Sequence, residues 1–479
     1  MDHISELPDE ILSHILTMLP VKDLLKTSLL SRRWCKLWFL RRDLHFDIFH
    51  VLGKSEQEVF QIRDSSHNSI MERRRVQLDI NMDEFVKRVD QFVKSFQGIK
   101  IDSFFVSFYL NGKHGDIIDQ WIRFAIARGV ETINLPLLAM PSAYAIDTTP
   151  SKLRYKFALD LFSDTNASTL KHMRLEHCLV SHPTNSDYIP FKNLRSLSLF
   201  RAKVDEIFIE SLLSNCRRLE ELHLIYCELR SWMPKIMSSS LCHLKVGACY
   251  IVSDNSRVNI NLISLDCLKL TSLEYIGYSL VTLNINTPLL KSIRCAVHYG
   301  EDPNVLALFA TLPKLEIMRL DISSMDLTSL KITQPFKHLK QLNIILFSPF
   351  ETVEHSKFDL LGIVTLLRAS PLLHKLSVMI TYPMIIENQK VVKDIECTHD
   401  EIKVIELRGC VGNWYEIEFV MNVLKYAHKL EEIVLSPYWR VHDSFNWKFD
   451  PIWFQDRRQM ISEKLQSENV VGREKLVLI

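Results

Sequence analysis

The chain has 479 residues, 47% hydrophobic and 24% charged, a balance that fits a folded protein and argues against wholesale disorder. With 58 basic and 57 acidic residues its net charge is +1, so it lacks the global field that draws a protein to nucleic acid or to an anionic membrane, and neither is expected as a partner. Twelve glycines are few for folds built on phosphate-cradling loops, and no stretch reaches the roughly eighteen apolar residues of a membrane span.

In chain order, Met1 to Glu6 carries neither the basic start nor the apolar run of a signal peptide, so nucleus and/or cytoplasm is the expected location. Leu12, Ile15, Leu16 and Leu19 then fall at i, i+3, i+4 and i+7, which predicts a short amphipathic helix. Pro8 sits in its first turn, where a missing N–H has no intrahelical partner to lose. Pro20 is predicted to end that helix, Asp23-Leu24-Leu25 to begin a second, and Ser31 to cap a third carrying Trp34, Leu37 and Trp38. A segment this small has too much surface for its volume to bury all those side chains within itself. Either the rest of the chain or another protein must cover them.

The order of these residues carries a resemblance. Leu7-Pro8-x-Glu10-Ile11-Leu12-x-x-Ile15-Leu16-x-x-Leu19-Pro20-x-x-Asp23-Leu24, followed by Leu30-Ser31-Arg32-Arg33-Trp34-x-x-Leu37-Trp38, closely resembles the F-box of plant F-box/leucine-rich-repeat proteins. The resemblance implies docking on a Skp1-like adaptor and, through it, on a cullin-RING ubiquitin ligase. It implies Leu7, Pro8, Ile11, Leu12, Ile15, Leu19, Leu24 and Trp34 as the adaptor-binding residues.

Residues 43–82 are read as a strand, Leu44 to Ile48, and then a polar loop that includes Arg73-Arg74-Arg75. Phe85, Val89, Phe92, Val93 and Phe96 show helical spacing, and Ile101 to Phe108 reads as a strand. A helix from Ile117 to Ala127 leads into Val130-x-x-Ile133-x-Leu135. Helix followed by strand then recurs as a pattern: Leu170-x-x-Met173-x-Leu175, Leu194-x-x-Leu197-x-Leu199, Leu219-x-x-Leu222-x-Leu224 and Leu241-x-x-Leu244-x-Val246. Later copies are read at Leu280-x-x-Leu283-x-Ile285, Leu315 to Leu320, Leu339 to Ile344, Leu373 to Val378, Ile402 to Leu407 and Leu430 to Leu435. From Met173 to Leu197 is 24 residues and from Leu197 to Leu222 is 25, inside the leucine-rich range of about 20 to 29.

Four of the ten cysteines keep the same register, two residues after the strand: Cys178, Cys227, Cys249 and Cys410. No pair is spaced C-x-x-C, so they read as small buried hydrophobes at a repeat position. The expected fold is α/β: a three-helix F-box over residues 1–45, a connecting region over 46–100, a leucine-rich-repeat solenoid over 101–390 with a curved parallel sheet and outer helices, and a cap over 391–479. Within that cap, His399 to Gly409, Glu416 to Val420 and Leu430 to Ile433 look like the FBD region of plant F-box/leucine-rich-repeat proteins, with Ile417, Val420, Met421 and Leu424 on an amphipathic helix. Trp447, Phe449, Trp453 and Phe454, a helix near Arg457 to Leu465 and a strand at Lys475 to Ile479 are expected to close the array.

Because strand side chains alternate, residues between the leucines face the concave surface. The substrate-binding candidates are His172, Arg174, Ser196, Phe200, Glu221, His223, Lys245, Arg319, Asp321 and Asn343, with Ser198, His243 and Gln341 in the same register. No catalytic elbow, zinc helix, phosphate loop or dinucleotide fingerprint is present, and no cofactor is expected. His172, His177, Cys178 and His182 lack zinc spacing and are not read as a metal site. The favoured function is a non-catalytic substrate receptor of a ubiquitin ligase acting on an unidentified target protein. The alternative is a ligand sensor or scaffold whose partner is never ubiquitinated.

Overall fold

The structure, a computed structural model, describes residues 4–19, 23, 26, 41–54, 68–138, 153–163, 165–181, 191–231, 234–253, 256–260, 262–277, 282–297, 304–322, 332, 334–347, 360, 362–383, 398–439, 448, 451–468 and 472–479. They divide into two compact units: Met1–Ser231 with Ile236–Leu241 and Cys249–Arg257, and Trp232–Lys235 with Cys242–Ala248 and Val258–Ile479.

The first unit opens with helix α1 (Asp9–Thr17), whose N-terminal turn carries Asp9 and Glu10, the charge sign that a helix start favours. It ends at Thr17, before Pro20 rather than against it. Six parallel strands follow: β1 (Asp43–Phe46), β2 (Ser103–Val106), β3 (Thr132–Pro136), β4 (His172–Glu176), β5 (Ser196–Phe200) and β6 (Glu221–Ile225). Parallel neighbours need a crossover between them. Helices α2 (Asn68–Ser95), α3 (Gly115–Ile126) and α4 (Glu206–Asn215) supply three of these. Short strands at Tyr155–Lys156, Cys178–Val180 and Lys203–Val204 pair into a small parallel sheet along the other repeats.

Apolar periodicity explains these elements. In α3, Ile118, Trp121, Ile122 and Ala125 sit at i, i+3, i+4 and i+7 and are all buried. The last turns of α2 bury Phe85, Val89 and Phe92, where Phe92 meets Phe46 edge-on at 5.3 Å and Phe85 stacks on Phe108 at 4.3 Å. Each such aromatic buries enough area to be worth about 2–3 kcal/mol. The expected loop around Arg73-Arg74-Arg75 is instead the start of α2. Its composition of Glu, Arg, Gln and Met propagates a helix well, and the apolar stripe further along anchors it.

The second unit repeats the plan with β7 (His243–Gly247), β8 (Ser272–Gly277), β9 (Ser292–Val297), β10 (Ile317–Ile322), β11 (Gln341–Phe347), β12 (Lys375–Thr381), β13 (Val404–Arg408), β14 (Glu432–Ser436) and β15 (Leu476–Leu478), parallel and in chain order. Helices α5 (Asn304–Ala310), α6 (Gly362–Arg368), α7 (Trp414–Tyr426) and α8 (Pro451–Ser467) connect them. One repeat was misplaced by pattern alone. The copy expected at Leu280 to Ile285 lies in a strand, Thr282–Asn286, that pairs with Leu262–Cys267 in a separate small sheet. The main sheet takes Leu270-x-x-Leu273-x-Tyr275 and Leu290-x-x-Ile293-x-Cys295 instead; Leu273 and Ile293 are 20 residues apart. The side chains of Trp447, Phe449, Trp453 and Phe454, together with Leu24, Trp34 and His182, lie outside the described residues.

A recurring turn accounts for the cysteines. The residue after the strand is left-handed at His177, Arg201, Tyr226, Ala248, Tyr382 and Gly409, with φ between 44° and 70°. That bend turns the next side chain inward, where Cys178, Cys227, Cys249 and Cys410 are buried and unbridged. The thiols of Cys227 and Cys249 donate to the Leu199 and Leu224 carbonyls of the preceding repeat at 3.3 and 3.4 Å. Burial pushes the Cys178 thiol up to about 12, far from a reactive thiolate. At Gly409 the bend admits no side chain, because a Cβ would lie 2.1 Å from the Ile380 carbonyl oxygen.

Candidate docking and recognition surfaces

Helix α1 presents two faces. Leu12 and Leu16 are fully buried, spaced four apart on the inner side. Ile11 is 49% exposed and Met18, seven residues on, is 66% exposed, with Pro8 exposed and Leu7, Ile15 and Leu19 half-buried beside them. The eight expected adaptor residues therefore separate: Leu12 faces the chain's own interior, Pro8 and Ile11 face outward, Leu7, Ile15 and Leu19 lie between, and Leu24 and Trp34 are not described. A buried Arg41 ties the helix to the sheet. Its Nη1 donates to the Leu19 carbonyl at 3.4 Å and its Nε to the Asp43 carbonyl at 2.7 Å, and burial lowers the guanidinium to about 10.

On the sheet of the first unit, register sorts the expected substrate residues into rows. One row runs Asp43, Ser103, Thr132, His172, Ser196, Glu221. The next runs His45, Phe105, Asn134, Arg174, Ser198, His223. His172 and Arg174 are exposed, and the rest of the candidates in these rows are half-buried. A third row holds Glu176 beside Phe200. Phe200 meets Tyr226 edge-on at 5.5 Å, and the Arg201 guanidinium lies 5.4 Å from the Phe200 ring, an aromatic and cationic corner at the strand ends. Burial raises the Glu176 carboxyl, against the attraction of Arg174 at 3.7 Å.

The sheet of the second unit carries a different row: Lys245, Glu274, Arg294, Arg319, Asn343, Ser377, Glu406. Opposite charges interlock along it. Lys245 Nζ lies 2.9 Å from Glu274, and Arg294 reaches both Glu274 at 3.7 Å and Asp321 at 2.8 Å. Arg319 Nε donates to the other Asp321 oxygen at 3.1 Å. Asp321, expected on the surface, is buried beneath these two arginines and holds them in place. Lys375 and Arg408 close on Glu406 at 2.5 and 3.2 Å, while Gln341 donates to Asn343 at 3.2 Å. Glu274, Arg294, Lys375, Glu406 and Arg408 were missed by sequence reading. Glu274 and Arg294 follow from the two unassigned strands and the alternation rule; Lys375, Glu406 and Arg408 sit beside apolar positions of repeats that the pattern does assign.

Near the C-terminus, Glu416 is fully buried at the start of α7 and its Oε2 accepts backbone N–H groups from Val411, Gly412 and Asn413 at 3.0, 2.6 and 3.1 Å. Burial raises this carboxyl while those donors oppose the rise. Lys464 from α8 donates to the Gly412 carbonyl at 2.7 Å, pinning the helix onto the turn. Of the expected apolar stripe on α7, Ile417 and Val420 are buried and Met421 and Leu424 are half-buried.

Short parallel strands at repeat spacing, several of them ending in a left-handed bend and four of those followed by an inward cysteine, define a leucine-rich-repeat protein with a helix at its N-terminal side. The family models agree: an F-box domain matches residues 4–45, and the LRR domain of the At1g61320/AtMIF1 type matches 93–469. The chain belongs to that LRR family and is a plant-type F-box/LRR-repeat protein. It is 25% identical over 464 residues to the F-box/LRR-repeat protein At3g58940 of Arabidopsis thaliana, covering 94% of this chain and 67% of that protein. It is 27% identical to the F-box protein At5g03100 over 51% of this chain and 63% of that protein, and 27% identical to the F-box/FBD/LRR-repeat protein At1g13570 over 75% and 80%, both also from Arabidopsis thaliana. The chain thus spans about two thirds of the length of the first two relatives.

Proposed function

We propose that this protein is a non-catalytic substrate receptor of a Skp1-cullin-F-box ubiquitin ligase. The observation that carries the reading is the outward apolar stripe of α1, Pro8, Ile11 and Met18, in the segment that matches an F-box. Apolar side chains this exposed, on a helix whose other face is fully buried, call for a partner protein. A Skp1-like adaptor fits that demand and would link the chain to a cullin-RING ligase. The polar rows of the first unit's sheet, where His172 and Arg174 are exposed, then hold a target protein, and ubiquitin arrives from other subunits, so the chain's contribution is proximity.

The test is co-purification of the intact chain with a purified Skp1-like adaptor, followed by proximity labelling with residues 1–45 deleted. Complex formation with the intact chain, and labelled proteins whose cellular levels rise on loss of the receptor, support the reading. No adaptor binding overturns it. Labelled partners whose levels never change assign the repeat sheets to a scaffold or sensor instead.

A further inference from the structure

The end of β1 brings together three side chains that the repeat architecture does not require. Alternation buries Leu44 and Phe46 and leaves His45 on the polar face, where its ring stacks on Phe105 at 4.0 Å. Asp47 follows, and a single helical turn, Ile48–Leu52, begins with Asp47 as its cap: the His50 N–H donates to Oδ1 at 2.7 Å. That turn swings the His50 imidazole back onto the same carboxylate. His50 Nδ1 lies 2.7 Å from Oδ1, and His45 Nε2 lies 2.9 Å from Oδ2 on the other side.

Capping explains Asp47 alone. It does not explain why two imidazoles, contributed by a strand and by a turn, converge on one carboxylate with a ligand atom of each residue within 4.8 Å of the others. A tetrahedral site with bonds of about 2.0–2.1 Å places its ligand atoms roughly 3.3 Å apart, so small side-chain rotations here suffice. Two imidazoles and one carboxylate suit a borderline divalent cation better than calcium or magnesium, which take oxygen. The three residues are half-buried, which leaves room for water at a fourth position.

We propose that His45, Asp47 and His50 form a three-ligand site for a borderline divalent cation, zinc in particular, which fastens the first strand of the repeat sheet to the turn after it. The proposal is independent of the adaptor reading, since it concerns residues outside α1. It is tested on the full-length protein by titration with zinc against a chromophoric chelator, with X-ray absorption at the zinc edge. The expected result is one equivalent bound with two imidazoles in its shell. His45→Gln and His50→Gln should each weaken binding at least about tenfold, and His172→Gln should leave it unchanged. His45 caps nothing, so H45Q keeps the test valid if H50Q fails to fold. Zinc should also raise the melting temperature of the wild type and not of H45Q. Absence of stoichiometric binding, or equal binding by H45Q, would overturn the site and leave a hydrogen-bonded turn.

Discussion

The polar faces of the two units are built on the same strand register and differ in what they do with charge. In the second unit, Lys245, Glu274, Arg294, Asp321 and Arg319 pair with one another across four neighbouring strands, and Asp321 is buried under its partners. In the first, the corresponding rows offer serines, asparagine and histidines, with His172 and Arg174 exposed. The difference teaches that a charged repeat face is not automatically a recognition face. A row that satisfies itself is stiff and already committed, whereas an exposed, weakly paired row can exchange water for a partner at small cost.

The strongest way to break this comparison is Asp321→Ala. It takes from Arg294, itself nearly buried, the nearer of its two carboxylates and leaves only the longer contact to Glu274, and should cost about 3–5 kcal/mol in denaturant unfolding of the second unit. A loss below about 1 kcal/mol would show that the network is not interlocked.

Acid separates the units by sign. Glu406 is held below its ordinary value: burial opposes this, but Lys375 and Arg408 prevail. A depressed carboxyl stabilises the fold above its unfolded value and loses that contribution as pH falls through the folded one. Glu176 in the first unit is raised by burial, so its folded form takes up a proton more readily than the unfolded chain, and acidification through that range favours the fold. Glu406→Gln should therefore flatten the acid limb of a stability-versus-pH curve, while Glu176→Gln should raise stability at neutral pH and steepen the loss toward acid. Equal shifts of the same sign in both variants would contradict the assignment.

Smallest of all should be Arg174→Ala. With the guanidinium exposed and its ion pair with Glu176 a long one at 3.7 Å, stability should change by less than about 0.5 kcal/mol, measured by the same unfolding assay. Its effect should appear in target capture instead.

Much of this organisation is legible in the amino-acid order because leucines must recur wherever a repeat stacks on its neighbour. Met173, Leu197, Leu222 and Leu244 marked four strands directly. Leu283 misled because it, too, sits in a strand with repeat spacing, and only hydrogen-bond pairing distinguishes the small sheet from the main one. The start of α2 was hidden by Arg73-Arg74-Arg75, since a polar helix tethered from its far end has no apolar stripe of its own there. Asp321 was placed on the correct face, but its burial depends on Arg294, 27 residues away on the neighbouring strand, and Arg319, two residues back on its own strand, closing over it together. The spacing His45-x-Asp47-x-x-His50 was visible and went unread, because Leu44, Phe46 and Ile48 accounted for the stretch as a strand.

The central claim is that α1 carries a docking face distinct from its core face. It is tested most directly by calorimetric titration of a Skp1-like adaptor into the full-length wild type and an Ile11→Glu, Met18→Glu double variant. Both positions are exposed, so the fold should survive the change with unaltered circular dichroism and unfolding midpoint. The account predicts tight binding by the wild type and a loss of at least about a hundredfold in the variant, the equivalent of about 2.7 kcal/mol at the contact. Equal affinity of the two proteins for the adaptor would contradict it.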